Sequence, residues 1–256
     1  MNTLFTGRHI IELDEIPSTN TYAMGLLKQG NLTEGTLIKA IYQTEGRGQY
    51  GNNWQAEKGK NLTFSLVMQP LFLAAEKQFY LSKITSLAVL GMLTEFLPMS
   101  QYDITIKWPN DVLVNGQKIA GILIENILPA SSGGNRLQNS IIGVGININQ
   151  ADFNLTKRAA TSLGIILKKE LDLTPVLERF CKHFEALYLS LKQNRLEQIN
   201  KQYLPNLYQY NLPANYHAEG KNFGAKIIAV EENGLLVLET EEGEHFSFNF
   251  KEVEFL

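Results

Sequence analysis

The segment DVLVNGQKIAGILIE, residues 111–125, constrains the fold of this chain more than any other stretch. Two aliphatic, β-branched arms flank Asn115-Gly116. That pair accepts positive φ at both central positions of a two-residue type I′ turn, so an antiparallel hairpin is expected. With this loop, Val114 faces Gln117, Leu113 faces Lys118, Val112 faces Ile119 and Asp111 faces Ala120. Opposed side chains share a face and each strand alternates with period two, which makes Asp111 and Lys118 diagonal neighbours on one face. Lys118 lies among Ile119, Ala120 and Ile122, so it is either an edge lysine with its head in water or a cation aimed at an anion. Gly121 lies inside the strand, where a glycine often marks close ligand approach. The plainer alternative for Asp111 and Lys118 is a surface salt bridge.

Strands are also expected at 36–45, 61–70, 103–108 and 140–149, with Pro70 and Pro109 as stops. A short helix follows Ser18-Thr19-Asn20, with Ser18 or Thr19 as N-cap and Gly30 as the stop. A longer helix covers 77–97, its apolar side made by Leu81, Ile84, Leu87, Ala88, Val89 and Met92, and 174–203 is mostly helical. Residues 126–139 read as a turn-rich loop. After Pro213 the texture changes to short strands broken by Asn233-Gly234 and Glu242-Gly243. The expected division is a main domain over 1–210 and a small all-β module over 211–256, close to the size at which a domain barely folds alone.

The 256 residues are 44% hydrophobic and 19% charged, enough for one main core and a small extra domain. A net charge of −3 does not favour a phosphate backbone as the main partner. Cys181 is the only cysteine, which excludes an internal disulfide and a thiolate zinc cluster, and its amphipathic setting marks it as a small apolar filler. No secretory signal is visible at the N-terminus. The most apolar stretch is interrupted by Lys83 and Glu95 and is too short and too polar to span a bilayer, so a cytoplasmic location is expected.

Two further segments carry chemistry. Glycines in Gln43-Thr44-Glu45-Gly46-Arg47-Gly48-Gln49-Tyr50-Gly51 allow close backbone approach, and Arg47 sets a forked cation among them. This loop has neither the Walker ending nor dinucleotide spacing, and alone it reads equally as an exposed turn. Gly143 and Gly145 weaken an otherwise good strand by about 0.5–1 kcal/mol each, either to admit a ligand or to allow a bulge or tight packing.

Together these pieces resemble the catalytic domain of biotin protein ligases, over about residues 14–150. The resemblance rests on Ser18-Thr19-Asn20, Gln43, Gly46-Arg47-Gly48-x-x-Gly51-x-x-Trp54 and Lys107-Trp108-Pro109-Asn110-Asp111. It continues through Lys118-Ile119-Ala120-Gly121-Ile122-Leu123-Ile124-Glu125 and Gly143-x-Gly145-Ile146-Asn147. It implies an α/β (α+β) fold, with a mixed, mainly antiparallel sheet and flanking helices as in class II synthetase-like ligases, and a C-terminal SH3-like β-barrel. The implied substrates are biotin and ATP with Mg²⁺, and the implied partner is a biotin carboxyl carrier protein, leaving room for a homodimer. In the implied chemistry biotin forms biotinyl-5′-AMP and is then transferred to a carrier lysine. Lys118, Arg47 and Asp111 are the implied catalytic set, with Asp111 orienting the incoming amine. Ser18, Thr19, Asn20, Gln43, Gly46, Arg47, Lys118, Gly121 and Gly143 would hold biotin. Arg47, Gln49, Asn52, Trp54, Asn110, Lys118 and Asn147 would hold the nucleotide.

The chain departs from the pattern in its loop. Relatives often read Gly-Arg-Gly-Arg-Arg-Gly-Arg, whereas here Gln49, Tyr50 and Asn52 leave one cation of four. That implies weaker retention of the charged intermediate unless Lys58, Lys60 or Mg²⁺ supplies the charge. Three alternatives are a lipoate or octanoate ligase on the same fold, a biotin-responsive repressor, and a silent biotin-binding protein. Only 17 residues precede Ser18, too few for a winged helix-turn-helix, and Lys118 with Asp111 speaks against a silent protein.

Overall fold

The computed structural model describes residues 1–30, 32–129, 135–153 and 159–256, with the backbone alone at Tyr50. The turn-rich loop expected at 126–139 lies partly outside these residues. The main sheet has seven strands: β1 (Ile10–Ile16), β2 (Leu37–Gln43), β3 (Leu62–Met68), β4 (Ile104–Lys107), β5 (Asp111–Val114), β6 (Gln117–Ile127) and β7 (Asn139–Ile146). Their order is β1-β2-β3-β7-β6-β5-β4. Only β1 and β2 pair in parallel, so the sheet is mixed and mainly antiparallel, as expected. The edge strand β1 was not expected. Its sequence IIELDEI alternates poorly, and its charged side chains suit a strand with one open edge.

Register sorts the sheet into two faces. Phe64 opposes Val144 and Leu66 opposes Ile142, while Ile146, Ala120 and Val112 continue the same row. This face packs under α2 (Phe79–Thr94) and α4 (Leu173–Lys192) in the main core. Of the apolar side expected for α2 every member is buried, but so are Tyr80, Lys83, Thr85 and Ser86, because the helix is enclosed on nearly all sides. Lys83 is therefore no surface interruption. Its Nζ donates to Asn200 Oδ1 and to the Val230 carbonyl, each at 2.9 Å, and burial pulls its pKa down to about 8. Cys181 is fully buried in α4, as a filler should be, and burial pushes its thiol up to about 12. The opposite face carries Ser65, Gly143 and Leu123 in one row and Thr63, Gly145, Gly121 and Asp111 in the next. Part of it is covered by α1 (Thr19–Lys28), whose Ala23 packs with Ile38, Val67 and Ile141, and the rest is the floor of the site.

The hairpin forms with Asn115 and Gly116 at φ of 49° and 76°, both positive as type I′ requires. Val114 opposes Gln117 and Leu113 opposes Lys118, as expected. A bulge then shifts the register, so Val112 opposes Ala120 and Asp111 opposes Gly121. The cause is tertiary. Lys118 N–H donates to the Ala159 carbonyl, Thr161 N–H donates to the Lys118 carbonyl, and Asn147 N–H donates to the Ile119 carbonyl. Those groups are taken out of the β5–β6 ladder, and the extra residue brings Gly121 onto the face of Lys118.

The C-terminal strands β8 (Ala214–Ala218), β9 (Lys221–Val230), β10 (Leu236–Thr240), β11 (His245–Phe248) and β12 (Val253–Phe255) form a second antiparallel sheet. Its order is β11-β10-β9-β8-β12, and among the described residues the end strands β11 and β12 do not pair with each other. The expected SH3-like barrel is therefore not formed. Closure needs long, tilted strands that meet at the seam, and here the edges have four and three residues. Tyr216, Ile227, Leu236, Leu238 and Val253 instead join the main core. Among the described residues no helix is long and apolar enough to cross a membrane.

Candidate functional site

The floor of the site lies where β3, β7 and β6 run side by side and three residues lack side chains. A Cβ on Gly143 would strike Asn20 Oδ1, and one on Gly145 would strike the Trp54 indole. A Cβ on Gly121 would stand 3.1 Å from Trp54 Cζ3 and 3.3 Å from Lys118 Nζ. The glycines thus do make room, and the groups that stand over Gly143 and Gly145 are Asn20 and Trp54.

The N-terminus of α1 forms one wall. Ser18 has the extended N-cap conformation, but its hydroxyl makes no capping bond. Gln43, at the end of β2, takes that part: its Oε1 accepts from Thr19 N–H at 2.7 Å. Ser18, Thr19 and Asn20 are all buried. Ser65 Oγ bonds to Thr19 Oγ1 (2.7 Å) and Asn20 Oδ1 (2.6 Å). Asn20 Nδ2 donates to Glu125 Oε2 (2.8 Å) and to the Leu123 carbonyl (3.3 Å).

The glycine loop is the lid-side wall. It folds back on itself through Trp54 N–H to the Gly46 carbonyl (2.8 Å) and Gly48 N–H to the Asn52 carbonyl (2.7 Å). A side chain at Gly46 would collide with the Trp54 carbonyl, so only glycine permits this close approach. Arg47 Nη2 stands 3.1 Å from Glu125 Oε1, and Nη1 stands 3.5 Å from Oε2. Gln49 Oε1 and Trp54 Nε1 are buried without hydrogen-bond partners among the described residues. Asn52 is exposed. Lys58 and Lys60 pair at the surface with Glu15 and Glu170.

At the hairpin end Lys118 Nζ meets Asp111 Oδ1 at 2.6 Å. Asp111 is buried, whereas the Lys118 side chain keeps 28% of its exposure. The lysine head is therefore open to a ligand, while the carboxylate is enclosed. Its ammonium also lies 5.7 Å from the Trp54 ring centroid. Asn110 and Asn147 serve the backbone: Asn110 Nδ2 donates to the Ile122 carbonyl (3.0 Å) and Asn147 Nδ2 to the Thr161 carbonyl (3.1 Å).

The structure thus gathers Lys118, Asp111, Trp54, Gly121 and Gly145 at one end of the floor. Asn20, Gly143, Arg47 and Gln43 stand around the other. Asn110 and Asn147 turn to structural work, and Asn52 points into solvent. Sequence reasoning gave no role to Ser65 or Glu125. Glu125 had a signal, since it stands four residues beyond Gly121 on the same alternating face.

A side-chain-free floor, a partly exposed lysine at one end, a forked cation at the other and a buried carboxylate define a site for a small, polar-headed anionic ligand. Residues 13–147 match the Biotin/lipoate A/B protein ligase family, and the chain belongs to that family. The bifunctional ligase/repressor BirA of Bacillus subtilis (strain 168) is 33% identical over 248 residues, covering 95% of this chain and 73% of that protein. The biotin--[acetyl-CoA-carboxylase] ligase of Mycobacterium tuberculosis is 28% identical over 169 residues, covering 66% of this chain and 60% of its own. Among solved structures, biotin protein ligase from Aquifex aeolicus in complex with biotin and ATP superposes with a TM-score of 0.75 at 26% identity, covering 96% of this chain and 98% of that one.

Proposed function

We infer that the chain is an ATP-dependent biotin protein ligase, which forms biotinyl-5′-AMP from biotin and ATP and transfers biotin to a lysine of a carrier protein. The observation that carries this reading is the Lys118–Asp111 pair facing the glycine floor, with Arg47 at the other end. Membership of the family and the Aquifex structure holding biotin and ATP support it.

In the first step a biotin carboxylate oxygen bonds to the α-phosphorus and pyrophosphate leaves. Two anions must meet, so fixed cations are the main requirement. Lys118 is placed to neutralise carboxylate and α-phosphate together, and Arg47 to hold the remaining charge. The walls around Ser18, Thr19, Asn20 and Gln43, with Gly46, Gly121 and Gly143, supply the few polar partners that biotin's neutral ring needs. Trp54, with Gln49 and Asn52 of the loop, frames the nucleotide, while Asn110 and Asn147 brace the backbone at Ile122 and Thr161. In the second step the carrier lysine nitrogen bonds to the acyl carbon of the anhydride, and AMP leaves with the electrons of the broken bond. Asp111 accepts the amine proton. Its carboxylate lies against Lys118 in the pair and is uncovered for the incoming amine when the lysine head turns to the substrate anion. Among the described residues no cluster of three or more His, Cys, Asp or Glu is suited to a metal. In this proposal Mg²⁺ therefore arrives as the Mg-ATP substrate, carried by the phosphates. The proposal assigns the chemistry to residues up to about 210 and a cytoplasmic setting to the protein, and it is compatible with a pair of copies.

The test is ATP–pyrophosphate exchange with biotin or lipoate as the acid. Exchange that depends on biotin and resists excess lipoate is expected. Exchange driven equally by lipoate contradicts the reading.

A further inference from the structure

We propose that Glu125 is a positioning residue that docks the glycine loop by holding its only cation, a proposal that rests on the reading of the site given above. Glu125 lies on the floor side of β6, in register with Ile141 of β7. Its Oε1 faces Arg47 Nη2 at 3.1 Å, and its Oε2 faces Arg47 Nη1 at 3.5 Å and accepts from Asn20 Nδ2 at 2.8 Å. Asn20 in turn bonds to Ser65 and covers Gly143. One carboxylate therefore links the loop to the α1 wall and, through it, to the floor. Residues 45–54 contain Arg47 and no other Lys or Arg, so nothing in the loop can replace this link.

The guanidinium has five N–H donors, and Glu125 faces only two of its nitrogens, one edge of the fork. The rest stays available to a ligand anion while the pair holds. Glu125 thus orders the loop before the ligand arrives, lowering the ordering cost that binding would otherwise bear. It touches no reacting atom in this scheme, so its removal weakens binding more than chemistry.

Glu125→Gln keeps an acceptor for Asn20 and removes the charge that holds Arg47. In the ligand-free protein, hydrogen exchange across 45–54 is expected to become faster. In steady state the biotin KM should rise about tenfold with kcat for adenylation changed less than about threefold, the signature of lost binding rather than lost transition-state contact. Arg47→Gln cuts the same link from its exposed side without touching the sheet, and it must also speed ligand-free exchange. In the double variant the two exchange effects must be less than additive, because both break one contact. Glu125→Asp, which keeps the charge on a shorter stem, should recover part of both readouts.

Unchanged ligand-free exchange in Arg47→Gln overturns the proposal even if Glu125→Gln does not fold. So does a Glu125→Gln protein that melts earlier with the same biotin KM, since that is a purely structural carboxylate. If the wild-type protein shows no biotin-dependent exchange of pyrophosphate, the functional reading fails, whereas ligand-free exchange still reports on the link itself.

Discussion

Lys118 has two tasks in the proposed scheme: it serves the substrate anion, and it pairs with the buried Asp111 carboxylate. Lys118→Met removes both. Adenylate formation should fall by about 10²–10³, the scale for losing one electrostatic stabiliser. Stability should also fall, by about 1–3 kcal/mol, because Asp111 keeps its burial and loses its ion pair with Lys118. Asp111→Asn leaves an amide in place and should slow transfer more than adenylation. Supplying pre-formed biotinyl-AMP separates the two effects: it should bypass much of the lysine defect and little of the aspartate defect. Equal rescue of both variants means the residues have been assigned to the wrong steps. A second carboxylate, Glu185 of α4, accepts from the backbone N–H groups of Leu4, Phe5 and Thr6 at 2.7–2.9 Å. Burial alone raises its pKa, but the donors of Thr6, Leu4 and Phe5 together outweigh burial and hold it below the ordinary value. A depressed folded pKa gives stability that is complete above the unfolded value near 4.5 and lost as pH falls through the folded one. Denaturant midpoints of wild type and Glu185→Gln should therefore differ at pH 7 and converge in strong acid. A constant gap across that range refutes the assignment.

Strand glycines and the hairpin bulge show how much of the site was legible in sequence at the level of elements. Asn115-Gly116 announced the turn, because positive φ at two successive positions leaves few other choices. Alternation put Asp111 and Lys118 together. The bulge was hidden, since its cause is the capture of Lys118 and Ile119 backbone groups by Ala159, Thr161 and Asn147, far along the chain. The glycines were visible as weak points in a strand, but not their occupants, which come from α1 and the loop. Gly143→Ala must displace Asn20, and with it the amide that meets Glu125. Its biotin KM should rise at least about tenfold, on the scale expected when a positioning contact shifts. Gly145→Ala meets the Trp54 indole and should alter Trp54 fluorescence in the ligand-free protein. A Gly143→Ala enzyme with unaltered biotin KM contradicts the role given to that wall.

Across the whole molecule the main core runs from the main sheet through α2 and α4 into the C-terminal sheet. The change of texture after Pro213 was legible in sequence, as were the short strands. That they stay open was not, because alternation says which face is buried and not what covers it. What covers it here is the main domain. Trp108 Nε1 donates to the Gly234 carbonyl in the β9–β10 turn at 2.9 Å, and Lys83 reaches the Val230 carbonyl. With so much shared core, thermal unfolding should be one transition, coincident by tryptophan fluorescence and far-UV circular dichroism. Two separated transitions contradict a shared core. The most direct measurement for the molecule as a whole is intact mass after incubation with biotin, Mg-ATP and a biotin carboxyl carrier domain. The expected result is a carrier heavier by one biotinyl group, dependent on both ATP and biotin and lost when the carrier's acceptor lysine is replaced. A carrier of unchanged mass, from folded protein that binds biotin, contradicts the assignment as a ligase.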